Sequence, residues 1–449
     1  MSLATTPLPR RLLALTPALP VVAVPALLAL PRTPDGAGPA DVLSGLVVVY
    51  CVIRLLRERR RPLSPVAAVV LGLPVVGLAL AAMGAFSSEA GLTGLGRYLQ
   101  TFVLVPAAVL LLLRDRSGFR LVAWSFVGLG LCQGAVGVHQ FVTRTGASYQ
   151  GANIRAVGTF GPQDVMGMAT AVSLGLVCAV GIALGRVSVR QRIAGAGCAL
   201  VLMLPLALSF SRGAWIATAL TCTVQLVLTG WRRALKVAAA AVASGVILVG
   251  GFGVGSALLQ QRIDSIAQVA DTPDQSVVDR YTLWASATDI WRGHPLTGVG
   301  LKGFPEYRDG HATLALSSGS ETDGAGVAYQ RQPLLSPHNM YLLVLSEQGL
   351  IGLLALAGSW LALLVCGVRR LLRVRDRGPG LDCGLVACGL LIWLLTDFAY
   401  GDIGGPSTVL IAVGIGLVAW WALAGDARAD VADLPRAGVR ERAEEAMAR

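Results

Sequence analysis

The chain has 449 residues, 54% of them hydrophobic and only 14% charged, with a mean hydropathy of +0.66. A soluble domain cannot bury that much apolar surface, and apolar runs of about 17–25 residues have the length of helices that cross a hydrocarbon core, without the alternation of a membrane barrel. The net charge of +11 lies in short basic clusters between apolar runs, as topology determinants do, and this argues against a nucleic-acid surface.

In chain order the spans are expected near 12–30, 42–57, 65–85, 98–113, 121–142, 164–185, 193–209, 213–230, 235–256, 338–368, 383–400 and 406–424. Arg10 and Arg11 precede the first, which is too long for the apolar core of a secretory leader and lacks a cleavage site. With both termini cytoplasmic, the clusters Arg54/Arg57/Arg59/Arg60/Arg61, Arg114/Arg116/Arg120, Arg186/Arg190/Arg192, Arg232/Arg233/Lys236 and Arg369/Arg370/Arg373/Arg375/Arg377 all fall inside. The expectation is an all-α polytopic membrane protein of about 12 transmembrane helices with a long external loop containing short helices. Membrane helices 1–9 occupy 1–256, an extracytoplasmic loop 257–337, helices 10–12 residues 338–425, and a cytoplasmic tail 426–449. All eight cysteines lie in or beside apolar runs with no C-x-x-C pair, so they read as small packing residues.

Unusual polar groups precede three of the spans that begin outside. The sixth follows Arg155 through Asp164, the eighth opens at Ser209-Phe-Ser211-Arg212, and the tenth opens at Ser336-Pro-His338-Asn339. Ser336 is expected to cap the tenth, with Pro337 in the first helical position and His338 and Asn339 in the first turn. Helix N-termini flanked by arginines favour an anion such as a diphosphate, so convergence of the three ends would build such a site. Within the long loop, Val277, Tyr281, Trp284, Ala287 and Trp291 recur at helical spacing over about 275–291, closed by Gly293 and Pro295, with Arg280 at the edge of that face.

Gly298-Val-Gly300-Leu-Lys-Gly303 spells a dinucleotide-binding pattern by letter, but no strand–helix unit surrounds it, and the glycines are expected to shape a tight external turn. His294, His311 and His338 are irregularly spaced and lack cysteine partners, so no metal site is expected, and no D-x-D cation pattern lies beside these motifs. Glu347 falls inside the tenth span, where a carboxylate is costly unless it has polar neighbours.

The ordered set Ser211-Arg212-Gly-Ala, Arg280…Trp284…His294-Pro-Leu-Thr-Gly298-Val-Gly300…Phe304, and Pro-His338-Asn339-Met-Tyr-Leu…Glu347-Gln-Gly349-Leu-Ile-Gly352 resembles the O-antigen ligase and polymerase family over about 155–354. The resemblance implies a metal-independent, cofactor-free, inverting glycosyltransferase of cell-surface polysaccharide assembly, in the cytoplasmic membrane with its active site outside. Its donor would be a glycan on a polyprenyl, typically undecaprenyl, diphosphate, and its acceptor a hydroxyl on a glycan, lipid or protein. By the same resemblance His338 assists deprotonation of the acceptor, and Arg212, Arg280 and Arg155 hold the departing diphosphate. Asn339, Ser211, Gly298, Gly300 and Glu347 take orienting or structural roles.

The chemistry is coherent by itself: a glycosyl diphosphate already carries its leaving group, so charge stabilisation and one base near neutrality suffice. The alternative is a polytopic transporter of a small solute or lipid-linked sugar, since twelve spans with both ends inside also describe many carriers. No repeat relates the halves, and the polar residues gather at one face. A cell-wall polymerase of the shape, elongation and division type would need an external catalytic acid with no clear counterpart, and a scaffold leaves His338 and the arginines without a role.

Overall fold

The computed structural model describes residues 16–30, 38–58, 63–149, 152–161, 164, 166–230, 275–324, 327–376, 378–405 and 407–424. The expected ninth span at 235–256, the beginning of the long loop and the tail 426–449 lie outside the described residues. Each other expected span coincides with a helix. In order these are α1 (Leu19–Leu27), α2 (Pro39–Glu58), α3 (Pro65–Met83), α4 (Ser88–Leu112), α5 (Arg116–Thr143), α6 (Gly167–Leu184), α7 (Val189–Leu208) and α8 (Arg212–Thr229). The long loop adds α9 (Gln275–Gly293) and α10 (Phe304–His311), and α11 (Met340–Val374), α12 (Leu381–Asp397) and α13 (Thr408–Leu423) complete the set.

Seven of the described helices are long and apolar enough to cross a membrane: α2 to α7 and α11. Among the described residues, the helices matching the other expected spans are shorter or less apolar.

Side-chain caps set several boundaries. Ser64, Ser87, Asp115, Ser188 and Ser211 each accept a hydrogen bond from the backbone N–H three residues on, satisfying a donor that the first turn leaves open. The core lies around α6, α12 and α13, which are buried along nearly their whole length, with Trp393, Trp420, Trp421, Phe119 and Phe126 filling the interior. Cys178, Cys383 and Cys388 are buried there as packing residues. α5 packs on α6, α11 on α3, and α12 on both α6 and α8.

The sequence reading anticipated short helices between the spans but no strands. A small antiparallel sheet is present, formed by β1 (Ala147–Tyr149), β2 (Ala152–Arg155), β3 (Ser320–Gly324) and β4 (Val327–Gln332) in the order β2-β1-β3-β4. Pairing of Ala147 with Gly324 and of Tyr149 with Thr322 joins the α5–α6 connection to the long loop. Strands as short as these carry too few residues to show alternation by themselves.

Candidate functional site

The start of α11 differs from expectation. Asn339, not Ser336, is the N-cap: its Oδ1 accepts from the N–H groups of Tyr341 and Leu342 at 3.1 Å each, and the helix begins at Met340. His338 therefore precedes the helix, with φ of +48°, a left-handed conformation that costs a non-glycine residue about 1–2 kcal/mol. Hydrogen bonds on both sides offset that cost. Trp284 Nε1 donates to Pro337 O at 2.9 Å, Ser336 Oγ donates to the Asp402 carboxylate, and His338 N donates to Ser336 Oγ at 3.3 Å. Beyond it, Asn339 Nδ2 donates to Ala399 O at 3.1 Å, and Met340 N donates to Phe398 O at 2.8 Å and Gly401 O at 3.0 Å. Strain of this kind, held by its surroundings, is typical of functional positions.

Most of those partners lie in the α12–α13 connection, which the sequence reading passed over. Its Tyr400 is a meeting point. The Arg280 guanidinium sits 6.0 Å from the centre of the Tyr400 ring, within cation–π range, and Trp284 packs on the same ring at 6.3 Å. At the start of α8, a Cβ on Gly213 would stand 3.4 Å from Tyr400 Cβ, so the helix that carries Arg212 at its first turn abuts the same residue. Ser211 caps that helix through Ala214 N at 3.3 Å, after Phe210 turns the chain with φ of +51°. Arg280, the segment before His338 and the Arg212 end of α8 thus lie around Tyr400 and the α12–α13 connection.

Arg155 closes β2 opposite Ala147 and is half-buried. The segment after it leads to Asp164, whose Oδ2 accepts from Ser407 N at 3.3 Å, tying that segment to the α12–α13 connection too. Arg97 braces the connection from below, donating to Gly405 O at 3.0 Å while paired with Asp41.

Two acids went unread: Asp397 at the end of α12 and Asp402 in the connection. The signal was available as Asp397-Phe-Ala-Tyr400-Gly-Asp402 in a short turn between two apolar spans. Burial lowers the His338 pKa from its ordinary value, and the neighbouring Arg280 charge lowers it further against the opposing pull of Asp402. A histidine so placed is held neutral, with a ring nitrogen able to accept a proton.

Gly298, Gly300 and Glu347 lie where the 295–303 turn meets α11. α11 is broken at Gly349, with φ of +63°, and the 295–303 turn fills the break: Val299 N donates to Ser346 O at 3.0 Å, Gly300 N to Glu347 O at 2.9 Å, Leu350 N to Pro295 O at 2.9 Å and Ile351 N to Leu296 O at 3.1 Å. Backbone approaches this closely only without side chains; a Cβ on Gly298 would lie 2.6 Å from Gln348 N. Buried Glu347 accepts from Phe304 N at 3.3 Å, capping α10 and so satisfying its carboxylate.

The helix carrying Arg280 forms where expected, but its buried face is Asp279, Thr282, Leu283, Ser286, Ala287 and Ile290. Of the predicted stripe only Ala287 is buried, and Tyr281 is exposed. Tyr281 packs on Trp284 and Trp284 on Tyr400, while Trp291 Nε1 donates to Pro295 O at 3.2 Å.

Residues 196–357 match the family model described as O-Antigen ligase. Over this segment the chain is similar to the O-antigen ligase family. The matched segment holds Ser211, Arg212, Arg280, Gly298, Gly300, His338, Asn339 and Glu347; Arg155 and the α12–α13 connection fall outside it. No curated protein matches the chain. The O-antigen ligase family performs ligase- or polymerase-type glycan transfer in cell-surface polysaccharide assembly, from a lipid-linked donor to a glycan acceptor in a membrane. Together with the seven apolar helices, this similarity indicates a multi-pass inner-membrane protein.

Proposed function

We propose that this protein transfers or polymerises a glycan from a polyprenyl (undecaprenyl) diphosphate carrier onto an acceptor hydroxyl at the outer face of the cytoplasmic membrane, inverting the anomeric centre without a metal ion. The observation that carries the reading is the meeting of His338, Arg280 and the Arg212 end of α8 around Tyr400. Twelve spans with both termini cytoplasmic would put this cluster outside, with 257–337 as the extracytoplasmic loop between the ninth and tenth spans.

In this mechanism the acceptor hydroxyl oxygen attacks the anomeric carbon from the face opposite the diphosphate. The new carbon–oxygen bond forms as the bond to the diphosphate breaks, and the bonding electron pair leaves with the polyprenyl diphosphate. The hydroxyl proton passes to the neutral His338 imidazole, which its surroundings keep unprotonated near neutral pH. Arg280 and Arg212, planar donors that stay charged at any working pH, neutralise the charge gathering on the leaving diphosphate, with Arg155 as a further contributor. One displacement inverts the centre. Asn339 and Ser211 set the two helix ends that aim these groups.

The test is reconstitution of the purified protein with polyprenyl-diphosphate-linked oligosaccharide and candidate acceptors. Formation of a glycosylated acceptor supports the reading, a ladder marking a polymerase and a single product a ligase. Absence of product across several donors, together with passage of a labelled solute or lipid through liposomes, would replace it with transport.

A further inference from the structure

Tyr281 follows Arg280 directly and has no part in the transfer just described. It is 63% exposed, on a helix whose packed face is made by Leu283, Ala287 and Ile290. Its placement is nonetheless fixed. The Tyr281 ring stands at 89° to Trp284 with centroids 5.7 Å apart, and Trp284 in turn meets Tyr400 at 6.3 Å. Trp284 is anchored by its hydrogen bond to Pro337, the residue before His338. The helix beneath is pinned at its start, where the Asp279 carboxylate accepts from Ser317 N at 2.8 Å and Ser317 Oγ at 2.6 Å. A large ring is therefore held exposed, next to Arg280 and joined through Trp284 to the residue before His338.

In a glycosyl diphosphate the attacked carbon belongs to the sugar joined to the phosphate, so that sugar has to lie between Arg280 and His338. A pyranose presents a face of weakly positive C–H groups, and an aromatic ring presents a negative face. Edge-to-face packing on Trp284 engages one side of the pair and orients the Tyr281 ring without enclosing it. An exposed aromatic at this place suits a sugar, since the ring binds C–H groups while the hydroxyls stay hydrated.

We propose that Tyr281 is a binding residue for the donor glycan, its ring stacking on the sugar joined to the diphosphate, with Trp284 holding that ring in place. The proposal rests on the glycan-transfer reading and adds to it the position of the transferred sugar. It favours sugars with a continuous C–H face, and it makes no use of the lipid.

The experiment compares full-length wild type with Tyr281→Ala, Tyr281→Leu and Tyr281→Phe. Two quantities are read: the donor KM with a polyprenyl-diphosphate-linked oligosaccharide, and the inhibition constant of the same polyprenyl diphosphate without sugar. Loss of stacking in the Ala and Leu variants is expected to raise donor KM by about tenfold while the sugar-free inhibitor binds as to wild type, and Phe is expected to stay within about twofold. Leu keeps bulk on the helix, so a rise shared by Ala and Leu but not Phe belongs to the ring. An unchanged KM in the Ala and Leu variants overturns the proposal, as does an equal rise in KM and inhibition constant, which would assign Tyr281 to the diphosphate. Wild type that transfers no glycan would instead overturn the functional reading itself.

Discussion

Trp284→Phe isolates one atom group. The substitution keeps an aromatic ring on α9 and deletes the Nε1–H that reaches Pro337 O at 2.9 Å. Pro337 is buried, so its carbonyl is left without that donor, at about 1–3 kcal/mol. The residue it precedes, His338, is already in a left-handed conformation that costs about 1–2 kcal/mol. Both costs are relieved together if the 337–338 backbone relaxes toward the extended region, which swings the imidazole out of place. If the lost stabilisation appears wholly as a smaller population of the competent conformer, kcat falls by about five- to a hundredfold at 1.4 kcal/mol per factor of ten. The assay is polyprenyl diphosphate release under donor saturation, paired with thermal unfolding to show that the bundle survives. Donor KM should move little, because Arg280 is unaltered and the Phe ring keeps an aromatic partner for Tyr281. A kcat within about twofold of wild type would refute the claim that this hydrogen bond positions the base.

The remaining predictions concern pH, the glycine turn and Glu347. The His338 pKa is lowered, so the acidic limb of kcat should lie below the ordinary histidine value of about 6.5, activity being lost only as pH falls far enough to protonate the ring. Asp402→Asn removes the opposing charge and should move that limb to lower pH, whereas Arg280→Gln removes a depressing charge and should move it to higher pH; shifts in the same direction would contradict the arrangement. Gly349→Ala places a Cβ 2.5 Å from Thr297 N at a φ of +63° and should lower the unfolding temperature sharply. Its cost combines about 1–2 kcal/mol of backbone strain with about 1–3 kcal/mol of overpacking, and a variant of unchanged stability would refute the packing of turn against break. Glu347→Gln keeps an acceptor for Phe304 N and should be close to wild type in stability, while Glu347→Leu should lose about 1–3 kcal/mol; equal stability of the two would remove the capping role.

The sequence was informative where a single local rule decides the outcome. Apolar runs marked the helices from α1 to α8 and α11 to α13, because an apolar stretch in a bilayer has to satisfy its own backbone. His338 and Arg212 stood out as polar groups at span ends and Arg280 on a helix of the long loop, and all three helices meet the α12–α13 connection. Four features were hidden for different reasons. The break at Gly349 depends on a turn about fifty residues earlier in the chain lying against it, which no local pattern records. The cap shifted from Ser336 to Asn339 because Ser336 Oγ bonds to Asp402, a partner distant in sequence. The buried face of α9 differs from the expected stripe because Tyr281 and Trp284 look like core residues by type, yet Tyr281 is exposed and Trp284 packs on Tyr400. Tyr400 and Asp402 lie in a turn too short for periodicity, and only their grouping of polar residues between two apolar spans could have drawn notice.

The central claim is that His338 removes the acceptor proton while arginines hold the leaving diphosphate. Release of free polyprenyl diphosphate from a lipid-linked oligosaccharide, measured with wild type and with folded His338→Ala in the presence of acceptor, tests it most directly. Acceptor-dependent release by wild type that His338→Ala reduces by at least about a hundredfold, within the 10²–10⁴ range of general base catalysis, is the result the account predicts. Equal release by the two proteins would contradict it.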